Sequence, residues 1–231
     1  MIVAIDGPAG SGKSTVARMV ARRLKFRYIE TGSMYRAVAW KANQVGIDPT
    51  DGEEGADEVA EVARNLNIEF KPADDGSQRV FVEGRELTRE LKNETVGRMA
   101  AVVAANPEVR EILVSKQREM GRNHDVVMDG RDIGTVVFPD AQKKFYLDAD
   151  PVERARRRYD EMKGTDPDLD FDQIVEQVRQ RDHEDKTRAA SPLRRAEDAM
   201  LIDTTSRSID EVVEQMVRAI ESAPEELKSK S

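Results

Sequence analysis

The sequence predicts an α/β fold, with helices packed on the faces of a sheet of parallel strands. Three observations carry that prediction. Ile2 to Ile5 is a short apolar run that passes through a glycine-rich turn into an apolar-periodic segment. Similar short runs at 26–30, 125–129, 143–147 and 200–203 alternate with segments of helical spacing, the order in which parallel sheets are built. The run at 125–129, DVVMD, is apolar without alternation, which suits a strand covered on both faces.

The opening stretch is the most informative. Gly7, Gly12, Lys13 and Ser14 fit G-x-x-x-x-G-K-[ST], a phosphate-cradling loop. With glycine near 7% of residues, those four constraints meet by chance in roughly one chain of this length in a hundred. Gly7, Gly10 and Gly12 let successive backbone N–H groups converge on one anion. The helix that follows, with Val16, Val20 and Leu24 as its buried stripe, aims its positive end at the same place. Lys13 is expected to reach the β- and γ-phosphates, and the Ser14 hydroxyl to sit on Mg²⁺.

Residues 26–30 read as a second strand, and Thr31-Gly32-Ser33 as a turn opening a helix. Met34, Val38, Lys41 and Val45 mark that helix, with Trp40 beside it. Ligands of open α/β sheets bind at the carboxyl ends of strands, so Thr31, Ser33 and Arg36 are placed to meet a substrate. The other reading is an N-cap and a solvated arginine. After a loop at 48–52, residues 54–66 are helical, with Val59, Val62, Ala63 and Leu66 on one face. Residues 67–87 then change character: Ile68 and Phe70 alternate, Asp74-Asp75-Gly76 supplies a turn, and Val80 and Val82 flank Phe81. This predicts a small antiparallel insertion covering one side of the site. Two helices follow, at 96–105 and from Pro107, the latter carrying Val109, Ile112, Leu113 and Met120.

The DVVMD strand ends in Asp129, which suits a carboxylate holding the Mg²⁺ shell. Gly130-Arg131-Asp132-Ile133-Gly134 follows, a tight loop presenting two charges or an exposed surface ion pair. Beyond strand 143–147, Asp150-Pro151 starts a helix holding Arg154, Arg156, Arg157 and Arg158 within five positions. Such crowding requires neutralisation: either a solvated basic face or a mobile lid closing over transferring phosphates.

In the helix expected over 171–189, Ile174 and Val178 set the inward stripe. Arg181, Asp185 and Arg188 fall within about 40° of Ile174's direction. Buried charges need partners, so that end must face a polar cleft or an anion unless it runs out into solvent. Residues 200–203 are the last strand, and Ser208 caps a helix with Ile209, Val212, Val213, Met216 and Ile220 inward. His124 and His183 share no metal-ligand pattern.

Composition narrows the partners. Lys plus Arg number 37 against 45 Asp plus Glu, a net charge of −8, which disfavours a large nucleic-acid surface. The chain has no cysteine, so no disulfide framework is possible. No apolar run approaches about 18 residues and no charged leader precedes the first strand, so the expectation is a cytoplasmic protein with no membrane partner. No Asn-Lys-x-Asp guanine signature of a GTPase-type switch occurs.

Together these segments resemble the bacterial cytidylate (CMP) kinase family from Ile2 to about Ile220. The resemblance is carried by IDGPAGSGKST (5–15), TGSMYR (31–36), NPEVRE (106–111), DGRDIGTVVFPDA (129–141) and RDHEDKTRAASPL (181–193). It implies the P-loop nucleoside monophosphate kinase fold: a five-stranded parallel sheet flanked by helices, an antiparallel monophosphate-binding insert and a helical lid. One kinase domain over 1–222 is expected. Its core is 1–45, 106–150 and 171–222, with the insert at about 46–105, the lid at about 151–170, and 223–231 a disordered tail. The implied reaction is transfer of the γ-phosphate of ATP, with Mg²⁺, to CMP or dCMP, by a monomer. UMP and small-alcohol kinases share most of this architecture.

By position, the resemblance assigns Gly7, Pro8, Ala9, Gly10, Ser11, Gly12, Lys13, Ser14 and Thr15 to the ATP phosphates. It puts Thr31 near the ribose, Arg36, Arg131 and Arg188 on the monophosphate, Arg110 and Asp132 on cytosine, and Arg181 and Asp185 on phosphate and sugar. Lys13, Arg131, Arg188, Arg154 and Arg158 are the expected catalytic set, with Ser14 and, through water, Asp129 holding Mg²⁺. One position departs from the family pattern: Ala101 stands where many members carry a serine touching the base. That implies base recognition that is looser or uses water.

Overall fold

A strand that is apolar on both faces must be covered on both, and β1 (Ile2–Asp6) is the middle strand of a five-stranded sheet. The order is β2 (Arg27–Glu30), β6 (Val126–Gly130), β1, β7 (Lys143–Asp148), β8 (Met200–Asp203). The register runs parallel from Ile2 opposite Val126 to Asp6 opposite Gly130, and β7 pairs in parallel with both β1 and β8. Val3, Ala4 and Ile5 are fully buried. This computed structural model describes residues 1–73, 78–122, 124–164 and 169–222. The expected turn at Asp74-Asp75-Gly76, part of the expected lid and the tail 223–231 lie outside the described residues.

The chain divides into two compact units, Met1–Arg27 with Asn123–Ser231, and Tyr28–Arg122. In the first, α1 (Lys13–Leu24) buries Val16, Ala17, Val20 and Ala21 and packs on α8 (Ile209–Glu221). Ser208 and Glu211 form the capping box that starts α8. Ile209 is 46% exposed rather than inward: it lies in the first turn, and the buried stripe begins only at Val212. α6 (Pro151–Met162) starts on the Asp150 cap and packs on α7 (Phe171–Thr187). Between them Ala155, Ile174, Val175 and Val178 form a small core, edged by the Tyr159 and Phe171 rings.

The second unit holds α2 (Thr31–Gln44), α3 (Gly52–Asn65), α4 (Glu94–Ala105) and α5 (Pro107–Gly121). It also contains the expected antiparallel sheet, β3 (Ile68–Pro72), β4 (Gln78–Val82) and β5 (Arg85–Glu86). One apolar core runs through it, with Met34, Val38, Val59, Leu87, Leu91 and Leu113 at its centre. Two local readings need correction. α2 starts at Thr31 itself, with Glu30 as its N-cap, so no turn intervenes. Val45 caps the other end and is 53% exposed, because the chain swings away at Gly46 with φ 77°. No described helix is long and apolar enough to cross a membrane.

Candidate active site

β1 ends at Asp6 and the chain turns at once. Gly7 has φ 151°, and a Cβ there would lie 2.0 Å from the Leu147 carbonyl oxygen, so only glycine fits. Gly12 occupies the N-cap position of α1, which no side chain caps, so the first N–H groups of the helix are available to an anion. Lys13 Nζ and Ser11 Oγ each donate to the Pro8 carbonyl at 3.0 Å. Burial, with Arg131 behind it, pushes the Lys13 ammonium down to about 7, against the pull of Asp129.

The parallel register sets the end of β6 beside the end of β1, so Asp129 faces the start of α1. Ser14 Oγ donates to Asp129 Oδ2 at 2.8 Å. Two hard oxygens at this point fit a divalent cation. Among the described residues no three His, Cys, Asp or Glu side chains cluster to hold an ion. A cation here therefore leans on phosphate oxygens and water, the habit of Mg²⁺.

After β6 the chain enters a π-helical turn, Ile133–Val137. Arg131 Nε donates to Asp185 Oδ2 at 2.8 Å, and Arg188 Nη1 lies 3.6 Å from the other oxygen. Burial works to raise the Asp185 carboxyl, but Arg131, then Arg181 and Arg188, hold it below the usual carboxylate value. The polar end of the α7 stripe thus meets a guanidinium rather than solvent. Asp132 is buried in the same loop.

The α6 arginines correct an expectation. Arg154 does not lie on a solvated face; it is 2% exposed. Its Nε donates to Ala149 O at 2.9 Å, and its Nη1 to Ala9 O at 3.1 Å and to Asp182 Oδ1 at 2.9 Å. Arg157 reaches Thr204 O at 2.6 Å and Thr204 Oγ1 at 3.2 Å, with Glu153 also paired to it. Fixed carboxylates and carbonyls neutralise the crowded charges. Arg156 is exposed and lies over the Phe171 ring, and Arg158 is half-buried.

In the second unit, Thr31 and Ser33 are buried at the start of α2, and Arg36 Nη1 pairs with Glu30 Oε1 at 3.1 Å. Arg110 is 3% exposed, donates to Ala104 O at 3.2 Å and stacks 5.4 Å from the Tyr35 ring centroid. Asn106 caps α5 and so fixes where Arg110 emerges. Ala101 is exposed. The residues expected at the site therefore form two groups. Lys13, Ser14, Asp129, Arg131, Asp132, Arg181, Asp185 and Arg188 belong to the first unit, and Thr31, Arg36 and Arg110 to the second.

Three participants are absent from the expected set: Asp6, Asp182 and Thr204. Asp6 ends an apolar strand as Asp129 does, and that likeness could have marked it. Asp182 lies four residues beyond Val178, on the inward stripe. Thr204 carries no such sign. Its hydroxyl donates to Ser11 O at 3.0 Å, a contact made across 193 positions of chain.

A family model described as cytidylate kinase matches residues 3–222. The chain is 47% identical over 218 residues to a cytidylate kinase of Caldanaerobacter subterraneus subsp. tengcongensis, covering 94% of this chain and 93% of that one. To the cytidylate kinase of Pelotomaculum thermopropionicum it is 46% identical over 218 residues, covering 94% and 95%. To that of Bacillus subtilis it is 43% identical over 219 residues, covering 95% and 96%.

Proposed function

The chain belongs to the cytidylate kinase family, and from that premise we propose that it transfers the γ-phosphoryl group of ATP to CMP or dCMP, giving ADP and CDP or dCDP. One observation carries this reading: the match over 3–222 spans the phosphate loop and the acceptor arginines alike.

The acceptor is a phosphate oxygen, already anionic, so the reaction needs no general base. Catalysis is positioning and charge neutralisation. The phosphate loop, Gly7 to Thr15, binds the ATP phosphates through backbone N–H groups, and Lys13 regains its full charge against them. Ser14 and Asp129 would hold Mg²⁺, which would supply charge neutralisation to the ATP phosphates. Arg131 and Arg188 share Asp185, and trade it for the phosphates as CMP arrives. Arg36 does the same from Glu30. Thr31 and Asp185 meet the sugar, Arg110 and Asp132 the base, and Arg181 adds charge on the acceptor phosphate. Arg158, half-buried on α6, is left as the lid arginine that acts on the transferring group. We further infer a monomer, which only the family resemblance implies, working in the cytoplasm.

The test is a coupled assay of ADP release with CMP, dCMP, UMP and AMP as acceptors. CMP or dCMP should give the highest kcat/KM. Preference for UMP would move the reading to the neighbouring kinase class, with Ala101 the first position to examine.

A further inference from the structure

The carboxylate of Asp6 belongs to neither the phosphate-loop motif nor the acceptor set, yet it holds the loop that carries Arg131 and Asp132. Asp6 is 3% exposed and stands opposite Gly130 in the parallel register. Its Oδ1 accepts from the Ile133 N–H at 2.7 Å and its Oδ2 from the Gly134 N–H at 2.8 Å. Those two donors open the π-helical turn. At a helical start such donors are ordinarily taken by the side chain of the turn's own N-cap residue.

Here the N-cap residue is Asp132, and its side chain makes no capping bond. An aspartate in that position by default folds back onto the N–H groups two or three residues ahead. The capping duty has instead moved to the neighbouring strand. Burial pushes the Asp6 carboxyl up to about 7, while the Gly134 and Ile133 N–H groups pull it down. The chain thus retains a buried acid whose ionised form opposes folding.

We propose that Asp6 is a positioning residue for acceptor recognition: by capping the Ile133–Val137 turn from β1, it releases Asp132 from that duty and fixes the loop presenting Arg131 and Asp132. The inference rests on the cytidylate kinase reading for the identity of the acceptor.

Asp6→Asn keeps the size of the side chain but sets an NH₂ against one of two backbone N–H groups. The KM for CMP should rise about tenfold and the CMP-to-UMP ratio of kcat/KM should narrow by a similar factor, with the KM for ATP within about twofold. Asp6→Glu, which restores a carboxylate, should recover part of the loss. If Asp6→Asn does not fold, Gly134→Ala reads the same contact. Its Cβ would stand 3.3 Å from Asp6 Oδ2 and 3.2 Å from the Lys144 side chain, and should raise the KM for CMP about threefold without affecting ATP. Equal changes in KM for CMP and ATP would overturn the proposal, as would a lowered melting temperature with KM and ratio unchanged. A wild-type protein inert toward CMP overturns the acceptor reading and this proposal with it. That failure is recognisable because it shows before any variant is made.

Discussion

Arg154 and Arg131 each pair with an aspartate of α7, Asp182 and Asp185, less than one helical turn apart, yet they are built for different ends. Arg154 is 2% exposed and has its nitrogens engaged by Asp182, Ala149 O and Ala9 O. Arg131 gives Nε to Asp185, and its Nη1 makes only a 3.4 Å contact with Gly130 O. A guanidinium bonded all round to protein has nothing to exchange with a ligand. One whose side-chain hydrogen bond goes to a single shared carboxylate, with Asp129 and Asp6 acting only through their charge, can trade that bond for a phosphate of the same sign and better geometry. The lesson is that arginine content alone does not mark a phosphate site; the number of commitments each guanidinium already has is the better sign.

The largest expected effect breaks the Arg154 side of that contrast. Arg154→Met leaves Asp182 charged and unpaired in a nearly closed site, which should cost about 3–5 kcal/mol and lower the melting temperature by about 6–20 °C. Differential scanning calorimetry reads this directly. An unchanged melting temperature with collapsed turnover would make Arg154 a phosphate-exchanging arginine like Arg131.

Arg131→Met is the counterpart. It should lower kcat about 100- to 1,000-fold, with a far smaller change in melting temperature than Arg154→Met, because Arg188 and Arg181 still neutralise Asp185. Steady-state kinetics with CMP checks it. Turnover within a few-fold of wild type would mean that the Arg131–Asp185 pair is structural.

These two residues also show where the sequence stops being readable. The strands and the glycine-rich loop were legible, because apolar runs and glycine spacing are local signals; the direct Ser14–Asp129 hydrogen bond was not among the expectations, which put both residues on Mg²⁺. The polar end of the α7 stripe was legible too, since helical geometry forces Asp185 to one face. Burial of Arg154 was not: its partner is 28 positions away, and helical spacing does not say which helix abuts which. The π-helical turn was hidden for another reason. Ile133-Gly134-Thr135-Val136-Val137 is rich in β-branched residues and suits a strand by propensity; the Asp6 cap and the Phe138 N–H to Ile133 O bond of 2.7 Å override it.

Asp132 sharpens the contrast at a smaller scale. Cytosine offers an amino group where uracil offers a carbonyl, and a carboxylate accepts only from the first. Asp132→Asn should narrow the CMP-to-UMP ratio of kcat/KM by roughly 5- to 150-fold, the 1–3 kcal/mol of one such contact. An unchanged ratio would pass base reading to Arg110.

The smallest effect is a proton. Burial and Arg131 hold the Lys13 ammonium down near 7, whereas bound phosphates favour its charged form. Above pH 7 the unliganded protein has largely lost that proton, so ATP binding at pH 8 should take up about one proton, and less at pH 6. Titration calorimetry in buffers of different ionisation enthalpy measures it. Heats independent of buffer would contradict the depressed Lys13.

The contrast between the two arginines is tested most directly by the shift in melting temperature that CMP induces in wild type, Arg154→Met and Arg131→Met. A ligand at about 100 times its Kd stabilises by about 2.7 kcal/mol. That shift should appear in wild type and survive in Arg154→Met, from a lower starting temperature, because Arg154 serves the fold. It should be largely lost in Arg131→Met, which starts near the wild-type temperature. A CMP shift that survives loss of Arg131 but not loss of Arg154 would contradict the account.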